Sequence, residues 1–290
     1  MNPESILKAK NVIGEGPRWN SAEQRLYWVD FIENQNIHSW HPATQEFKTY
    51  RTEAPVTALG FRRDGDLIVA TGGQIATFNL ASCKLSGFTL VDDRPGMRLN
   101  DGAVDANGRF WVGSMHSVKQ DEPHGSLYRF DADGSLHTMD TGITVSNGLG
   151  WSPDQQTLYF IDTFRRAAYA YDYSAGTGSV KNRRVFVRTV EADGYPDGLA
   201  VDAEGHVLVA FWGGWKVVRY DPDGKIEREI RFPVANPTAC AFGGAHLDEL
   251  YVTTARLAMK PVELAAQPLA GDLFRVRLGV SGQPETPFGQ

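Results

Sequence analysis

The chain has 290 residues, a formal net charge of −6 and 42% hydrophobic residues, which is enough for a large buried core. The mild acidity and the lack of a basic stripe argue against nucleic acid as a partner and favour a small molecule. No run approaches the roughly 20 apolar residues that cross a bilayer, and the opening MNPESILKAKNV has no signal-peptide core. We therefore expect a cytoplasmic protein without a membrane partner, either a monomer or a small homo-oligomer.

The cysteines and histidines give little functional signal. Cys83 and Cys240 show no C-x-x-C spacing, and a core of this size needs no disulfide, so both are expected to be buried thiols. His38 and His41 flank a turn and are expected at the surface. No group of histidines resembles a metal site.

Six similar units follow one another along the chain. Each reads as a short apolar strand, a polar turn and a second strand of aliphatic and aromatic residues. The units are GEGPRWNSAEQRLYWVD, VTALGFRRDGDLIVAT, LNDGAVDANGRFWVGS, SNGLGWSPDQQTLYFID, PDGLAVDAEGHVLVAF and PTACAFGGAHLDELYVTT. The residues that open their first strands are Glu15, Thr57, Asn100, Asn147, Asp197 and Thr238.

These six ring positions are separated by 41 to 50 residues. A period of that length with four strands per repeat is typical of a propeller blade. The sequence therefore predicts an all-β fold, a six-bladed β-propeller with four-stranded antiparallel blades, as one domain over residues 1–290. We expect SILKAKNV and GDLFRVRL to complete the last blades and close the ring, because closure removes exposed sheet edges.

In a propeller the first strand of each blade lines the central channel, so the ring positions should converge at one mouth. Glu15 and Asp197 would then face each other and repel unless a cation lies between them. The alternative is that Asn147-Gly148 and Asp197-Gly198 are ordinary tight turns. Glu15 has no such explanation, which favours a metal site formed by Glu15, Asn147 and Asp197.

Ligation by oxygen atoms alone favours a hard divalent cation. Calcium is the first candidate, with zinc, manganese, magnesium and iron(II) as alternatives. Three protein ligands leave coordination positions free, as is usual for a catalytic metal.

Four motifs resemble the SMP-30/gluconolactonase/luciferin-regenerating family: GEGPRW, RLNDG, SNGLGWSPD and YPDGLAVD. The resemblance covers nearly the whole chain and implies a six-bladed propeller that hydrolyses lactones. It matches Glu15, Asn147 and Asp197 to the family's metal ligands, and Arg98 and Asn100 to its substrate contacts. Animal members carry an acidic pair after a Gly-Thr-Met segment. Here Ser117 and Val118 follow His116, so His116 is a candidate substrate contact instead.

The resulting hypothesis is a metal-dependent lactonase that opens a sugar lactone such as gluconolactone. Asp197 would be the general base, or would leave water activation to the metal. Phe164, Tyr195 and Trp212 are candidates for the pocket wall. Two alternatives are an esterase or organophosphate hydrolase using the same metal, and a non-catalytic propeller that binds a protein.

Overall fold

The repeat folds into six four-stranded antiparallel sheets arranged as propeller blades in the computed structural model, which describes residues 2–289. Within each blade the strands follow one another as a meander, with the first strand innermost. The predicted fold class is confirmed.

Blades 1 to 3 each come from one continuous stretch of chain. Blade 1 consists of β2 (Gly14–Asn20), β3 (Arg25–Asp30), β4 (Asn36–His41) and β5 (Glu46–Arg51). Blade 2 consists of β6 (Val56–Phe61), β7 (Leu67–Thr71), β8 (Gln74–Asn79) and β9 (Lys84–Leu90). Blade 3 consists of β10 (Met97–Val104), β11 (Phe110–His116), β12 (Gly125–Phe130) and β13 (Leu136–Ile143).

Blades 4 and 5 are also continuous, whereas blade 6 combines the two ends of the chain. Blade 4 consists of β14 (Ser146–Trp151), β15 (Thr157–Asp162), β16 (Ala167–Ser174) and β17 (Ser179–Arg188). Blade 5 consists of β18 (Tyr195–Val201), β19 (Val207–Trp212), β20 (Lys216–Tyr220) and β21 (Ile226–Arg231). Blade 6 consists of β22 (Pro237–Gly243), β23 (Glu249–Thr254), β24 (Leu273–Arg277) and β1 (Glu4–Leu7).

The N-terminal strand closes the ring. β1 pairs antiparallel with β24 and forms the outer edge of blade 6, as the sequence predicts. A short helix, α1 (Pro261–Ala266), lies between β23 and β24, and a single 3₁₀ turn (Glu191–Asp193) precedes β18. Among residues 2–289 no helix has the length and apolar character needed to cross a membrane.

The core lies between neighbouring blades. At the junction of blades 1 and 6, Trp19 stacks on Tyr251 with ring centroids 5.6 Å apart. Side chains of blade 2 such as Ile68 pack against Phe110 and Val112 of blade 3 in the same way. The inner strands are thus buried on both faces between neighbouring blades, whereas outermost strands such as β5 and β17 are largely exposed.

The residues after β24 cross one end of the channel. At this end the inner strands terminate. We call residues 281–289 the C-terminal strap. Gln283 Nε2 donates to the carbonyls of Trp151 (2.9 Å) and Val201 (3.3 Å). Farther along, the backbone N–H of Phe288 donates to Phe61 O at 2.7 Å. The strap therefore joins blades 2, 4 and 5 across the channel.

His38 was expected at the surface, and that expectation is wrong. It is only 6% exposed on the second-outermost strand of blade 1, where it packs against the rings of Trp28 and Phe47. Burial lowers the pKa of His38 to about 4. Both cysteines are free; Cys240 is buried as expected, but Cys83 is partly exposed.

Candidate functional site

A cavity of about 330 Å³ lies where the inner strands begin. Five of the six ring positions line it: Glu15, Thr57, Asn100, Asn147 and Asp197. The sixth, Thr238, lies outside the lining and bonds instead to the hydroxyl of Thr253. The blade repeat therefore brings together residues that are up to 182 positions apart in the chain.

Each inner strand carries an irregularity in pairing at its ring position. A bulge of this kind leaves residues out of the ladder and turns their side chains away from the regular alternation. The register shifts lie between Glu15 and Arg18, Val56 and Ala58, Leu99 and Gly102, Asn147 and Leu149, Pro196 and Leu199, and Pro237 and Ala239. The bulges contain the ring residue itself in four strands and begin directly after it at Glu15 and Asn147, so all six inner strands depart from regular pairing at the channel mouth.

The glycines after Asn147 and Asp197 do not form tight turns. Both lie within inner strands, and a Cβ at Gly148 would come within 2.5 Å of the backbone N of Leu199. At Gly198 it would come within 2.3 Å of the Ala239 Cβ. Because each glycine permits close approach of the next blade, the tight-turn alternative is wrong.

Four ring positions connect their blade to the next one through a side-chain donor. In each case the acceptor is the carbonyl of the residue just before the next ring position. The links run from Thr57 Oγ1 to Leu99 O (3.2 Å), from Asn100 Nδ2 to Ser146 O (2.7 Å), from Thr238 Oγ1 to Gly14 O (2.5 Å), and from Asn147 Nδ2 through Thr163 Oγ1 to Pro196 O (two bonds of 2.9 Å).

Glu15 and Asp197 occupy the two ring positions that make no such link. An ionised carboxylate has no hydrogen to donate, so neither side chain can complete the pattern. Glu15 accepts only a 3.3 Å bond from the N–H of Gly16, and within residues 2–289 the Asp197 carboxylate accepts none. Glu15 and Asp197 therefore do not link their blades to the next blade, unlike the other four ring residues.

Three buried carboxyl groups share the cavity. Glu15, Asp101 and Asp197 are 9%, 7% and 5% exposed, respectively. Burial raises the pKa of Glu15 well above its ordinary value, and the charges of Asp197 and Asp101 raise it further. Burial and the charge of Asp101 likewise raise the pKa of Asp197. In the part of the chain that the structure describes, no basic side chain forms an ion pair with these three carboxyl groups, so their ionised forms are unfavourable without a further cation.

Asp101 is the functional candidate that the sequence reasoning missed. Burial raises its pKa, while the positive charge of Arg18 opposes that shift. The repeat alignment assigned one residue to each blade, but the bulge in β10 spans both Asn100 and Asp101. A carboxylate directly after a ring position, in the RLNDG motif, was the signal that was available.

Arg98 and Asn100 form a connected polar side of the cavity. Arg98 donates to Asn100 Oδ1 at 2.6 Å, and Asn100 Nδ2 lies 3.2 Å from Asn147 Oδ1. Burial lowers the pKa of Arg98 to about 10, although the charge of Glu15 favours its charged form. The guanidinium also lies over the ring of Phe31, 5.6 Å from its centroid. Its remaining donors can meet oxygen atoms of a ligand.

His116 does not line the cavity. Its Nδ1 accepts the backbone N–H groups of Val118 (3.1 Å) and Lys119 (3.0 Å), which fixes the start of the following loop. Gln120, from that same loop, lines the cavity instead. A substrate contact by His116 stays a prediction. The three aromatic wall candidates, Phe164, Tyr195 and Trp212, do line the cavity.

The donor set fits a hard divalent cation. Carboxylate and amide oxygens are available from Glu15, Asn147 and Asp197, and a cation among them would offset the repulsion between the buried carboxylates. A second acidic group, at Asp202 and Glu204, differs in this respect. There Arg219 donates to both carboxylates, at 2.8 and 2.7 Å, so a cation of the protein already occupies that position.

Comparison with known proteins identifies the family. Residues 13–256 match the family described as SMP-30/Gluconolactonase/LRE-like region. The chain is a member of this family. The prediction made from the four motifs is confirmed.

Relatives of this SMP-30/gluconolactonase family member match along nearly their whole length. Regucalcin of Danio rerio is 35% identical over 284 residues, covering 97% of this chain and 96% of the relative. A Bacillus subtilis protein provisionally named sugar lactone lactonase YvrE is 35% identical over 289 residues, with 98% of each covered. The solved structure of a luciferin-regenerating enzyme has a TM-score of 0.90 at 30% identity, covering 99% of each chain. Family membership associates the chain with hydrolases of lactone esters.

Proposed function

We propose that this chain is a metal-dependent lactonase that hydrolyses a sugar lactone, such as gluconolactone, to the aldonic acid in sugar catabolism. The observation that carries the proposal is a set of three buried carboxyl groups that form no ion pair among residues 2–289, beside a polar wall of Arg98 and Asn100. Relatives named for sugar lactone and gluconolactone hydrolysis support the same chemistry.

Glu15, Asn147 and Asp197 would hold the metal. Calcium is the first candidate, in line with a related structure described as a calcium-binding regucalcin, which has a TM-score of 0.90 at 28% identity. When bound, the cation would polarise the lactone carbonyl and stabilise the negative charge that develops on its oxygen. The ligand oxygens supply the charge that attracts it.

Asp197 would be the general base. Its carboxylate would take a proton from water as the water oxygen bonds to the carbonyl carbon. The ring C–O bond then breaks, and the same proton would pass to the leaving ring oxygen, giving the hydroxy acid. As a ligand of the cation, this carboxylate would be a weaker base than a free one, and in that case the metal would supply the activation of water.

Arg98 and Asn100 would orient the substrate. The guanidinium presents donors in a fixed plane and would bind ring and hydroxyl oxygens of the lactone. Asn100, held by Ser146 O and by Arg98, would add a rigid amide to that side. Orientation of this kind lowers the barrier because the reacting atoms are already aligned.

The test is acid release from gluconolactone by the metal-loaded protein, after chelation, and after calcium is restored. An uncatalysed control is required because aldonolactones hydrolyse spontaneously. We expect activity to be lost on chelation, to return with the metal and to be abolished in Asp197→Asn. Asp223→Asn changes an exposed aspartate and is the matched control. Equal rates for wild type and Asp197→Asn would overturn the mechanism.

A further inference from the structure

The wall of the cavity changes character away from the channel. Polar groups lie on the inner strands, whereas the outer wall includes Phe31, Ile32, Phe164, Trp212 and Leu257. A sugar lactone presents hydroxyl groups around its ring, and a hydroxyl buried without a hydrogen-bond partner is unfavourable. This part of the wall therefore suits an apolar group better than a hydroxyl.

The cavity continues into a groove over blade 2. The groove has a volume of about 620 Å³ and shares Phe31, Ile32, Thr57, Arg98 and Gln120 with the cavity. Because the two spaces share these residues, the groove adjoins the cavity beside Arg98. Pockets of several hundred Å³ are typical of ligands larger than a single small ring.

Phe88 gives the groove an exposed aromatic side. It lies on β9, the outer strand of blade 2, and its side chain is a large apolar group left 52% exposed. The pairing of β9 with β8 shifts register between Ile75 and Thr77, which places an extra residue on β9 beside Phe88. Bulges commonly redirect a side chain on an edge strand. Leu85 and Pro55 continue the apolar lining nearby.

We propose that this groove is a second subsite, which holds an apolar alkyl or aryl substituent on the lactone ring. The inference rests on the proposed lactonase function and extends its substrate class to lactones that carry such a substituent. The lactone ring lies at Arg98 and Asn100, and the substituent extends past Phe31 and Ile32 towards Phe88. Binding improves with each methylene removed from water.

A series of γ-lactones tests the proposal. The metal-loaded wild type is assayed on lactones with hydrogen, ethyl, butyl or hexyl at the ring carbon beside the ring oxygen, and on gluconolactone. We expect kcat/KM to rise about two- to fourfold per methylene until the groove is filled. This series needs no variant, so a folding defect cannot obscure it.

A matched pair of variants locates the effect. Phe88→Asp should reduce the gain from hydrogen to hexyl to less than twofold. Ile226→Asp, which changes an exposed apolar residue on the outer strand of blade 5, should retain the full gain.

The outcomes separate the two proposals. The subsite would be overturned, and the lactonase function retained, by one result. In that result the protein hydrolyses gluconolactone, but kcat/KM does not rise along the alkyl series and Phe88→Asp does not change it. Hydrolysis of neither lactone class by the metal-loaded protein would overturn both. Self-association that disappears in Phe88→Asp, with no gain along the series, would show that the apolar patch binds a second copy instead.

Discussion

The two mouths of the propeller channel both contain buried charged groups. One mouth contains an ion pair of opposite charges, whereas the other contains several carboxyl groups. At the mouth opposite the cavity, Arg18 lies 3.7 Å from Glu285 of the C-terminal strap and donates to Gly102 O at 2.6 Å. At the other mouth the three buried carboxyl groups of Glu15, Asp101 and Asp197 share the cavity with one cation, Arg98, which forms no ion pair with them among residues 2–289.

The difference teaches how this fold separates stability from function. At the strap end the opposite charges of Arg18 and Glu285 form an ion pair within the chain. At the cavity end the charges of Asp197 and Asp101 raise the pKa of Glu15, and the positive charges of Arg98 on Glu15 and of Arg18 on Asp101 offset this excess of negative charge only in part. We expect perturbations at the first mouth to change folding and perturbations at the second to change binding.

The largest effect is expected from Glu15→Gln at the cavity mouth. Without metal, the variant should melt at a higher temperature than wild type, because one buried like charge is gone. Calcium at about 100 times its Kd should stabilise wild type by about 2.7 kcal/mol and the variant far less. Lactone hydrolysis should fall at least about 100-fold, since polarisation by the metal contributes several kcal/mol. Melting curves measure this: the variant should melt above wild type with chelator and below it with calcium. An equal rise in melting temperature with calcium for both proteins would contradict the comparison.

Arg18→Met tests the strap mouth. Removing the cation leaves Glu285 and Gly102 O without their partner, and we expect the free energy of unfolding to fall by about 3 kcal/mol. Urea denaturation measures the loss, and Arg18→Met combined with Glu285→Gln should recover part of it. Calcium affinity should not fall, because the positive charge of Arg18 acts on Asp101 and opposes a cation there. A loss of calcium affinity would show that Arg18 also positions residues of the cavity.

His38 supplies a pH dependence that belongs to neither mouth. Its pKa is about 4 in the folded protein and near 6.5 in the unfolded chain, so the unfolded state binds more protons between those values. The free energy of unfolding should therefore be highest above pH 6.5 and fall by about 2 to 3 kcal/mol as pH drops to about 4. His38→Gln should remove this component, whereas His41→Gln on the same strand should retain it. Urea titrations across this range decide the matter.

The smallest effect is expected from Gln283→Ala in the strap. It removes two hydrogen bonds to carbonyls of blades 4 and 5 and should cost about 1 kcal/mol of unfolding free energy. Calcium affinity and kcat should not change. A measurable change in either would mean that the strap acts on the cavity as well as on the fold.

The repeat made the fold and most of the cavity predictable. Period and turn chemistry recur in every blade, so one alignment located Glu15, Asn147 and Asp197 in the same ring. The same reasoning missed Asp101, because a bulge exposes two neighbouring residues where a regular strand exposes one. The local sequence pattern predicts the strand, but it does not predict the bulge within the strand.

Other features depend on contacts between distant segments and leave little trace in the sequence. The C-terminal strap has no alternating pattern and is positioned by carbonyls of several blades. His38 reads as a turn-flanking polar residue, yet its strand is covered on both sides. His116 ends β11, and its ring is used by the loop that follows, which no spacing rule reveals.

The two positions without a side-chain link divide the propeller into unequal arcs. Blades 2 to 5 are joined in series by three links, and blades 6 and 1 by the fourth, with breaks at Glu15 and at Asp197. The proposed ligands lie on blades 1, 4 and 5, which belong to different arcs. A bound cation would therefore connect the two arcs. Metal binding should then slow hydrogen exchange most at the interfaces between blades 1 and 2 and between blades 5 and 6. The cation would in that case stabilise the closed ring in addition to its part in catalysis.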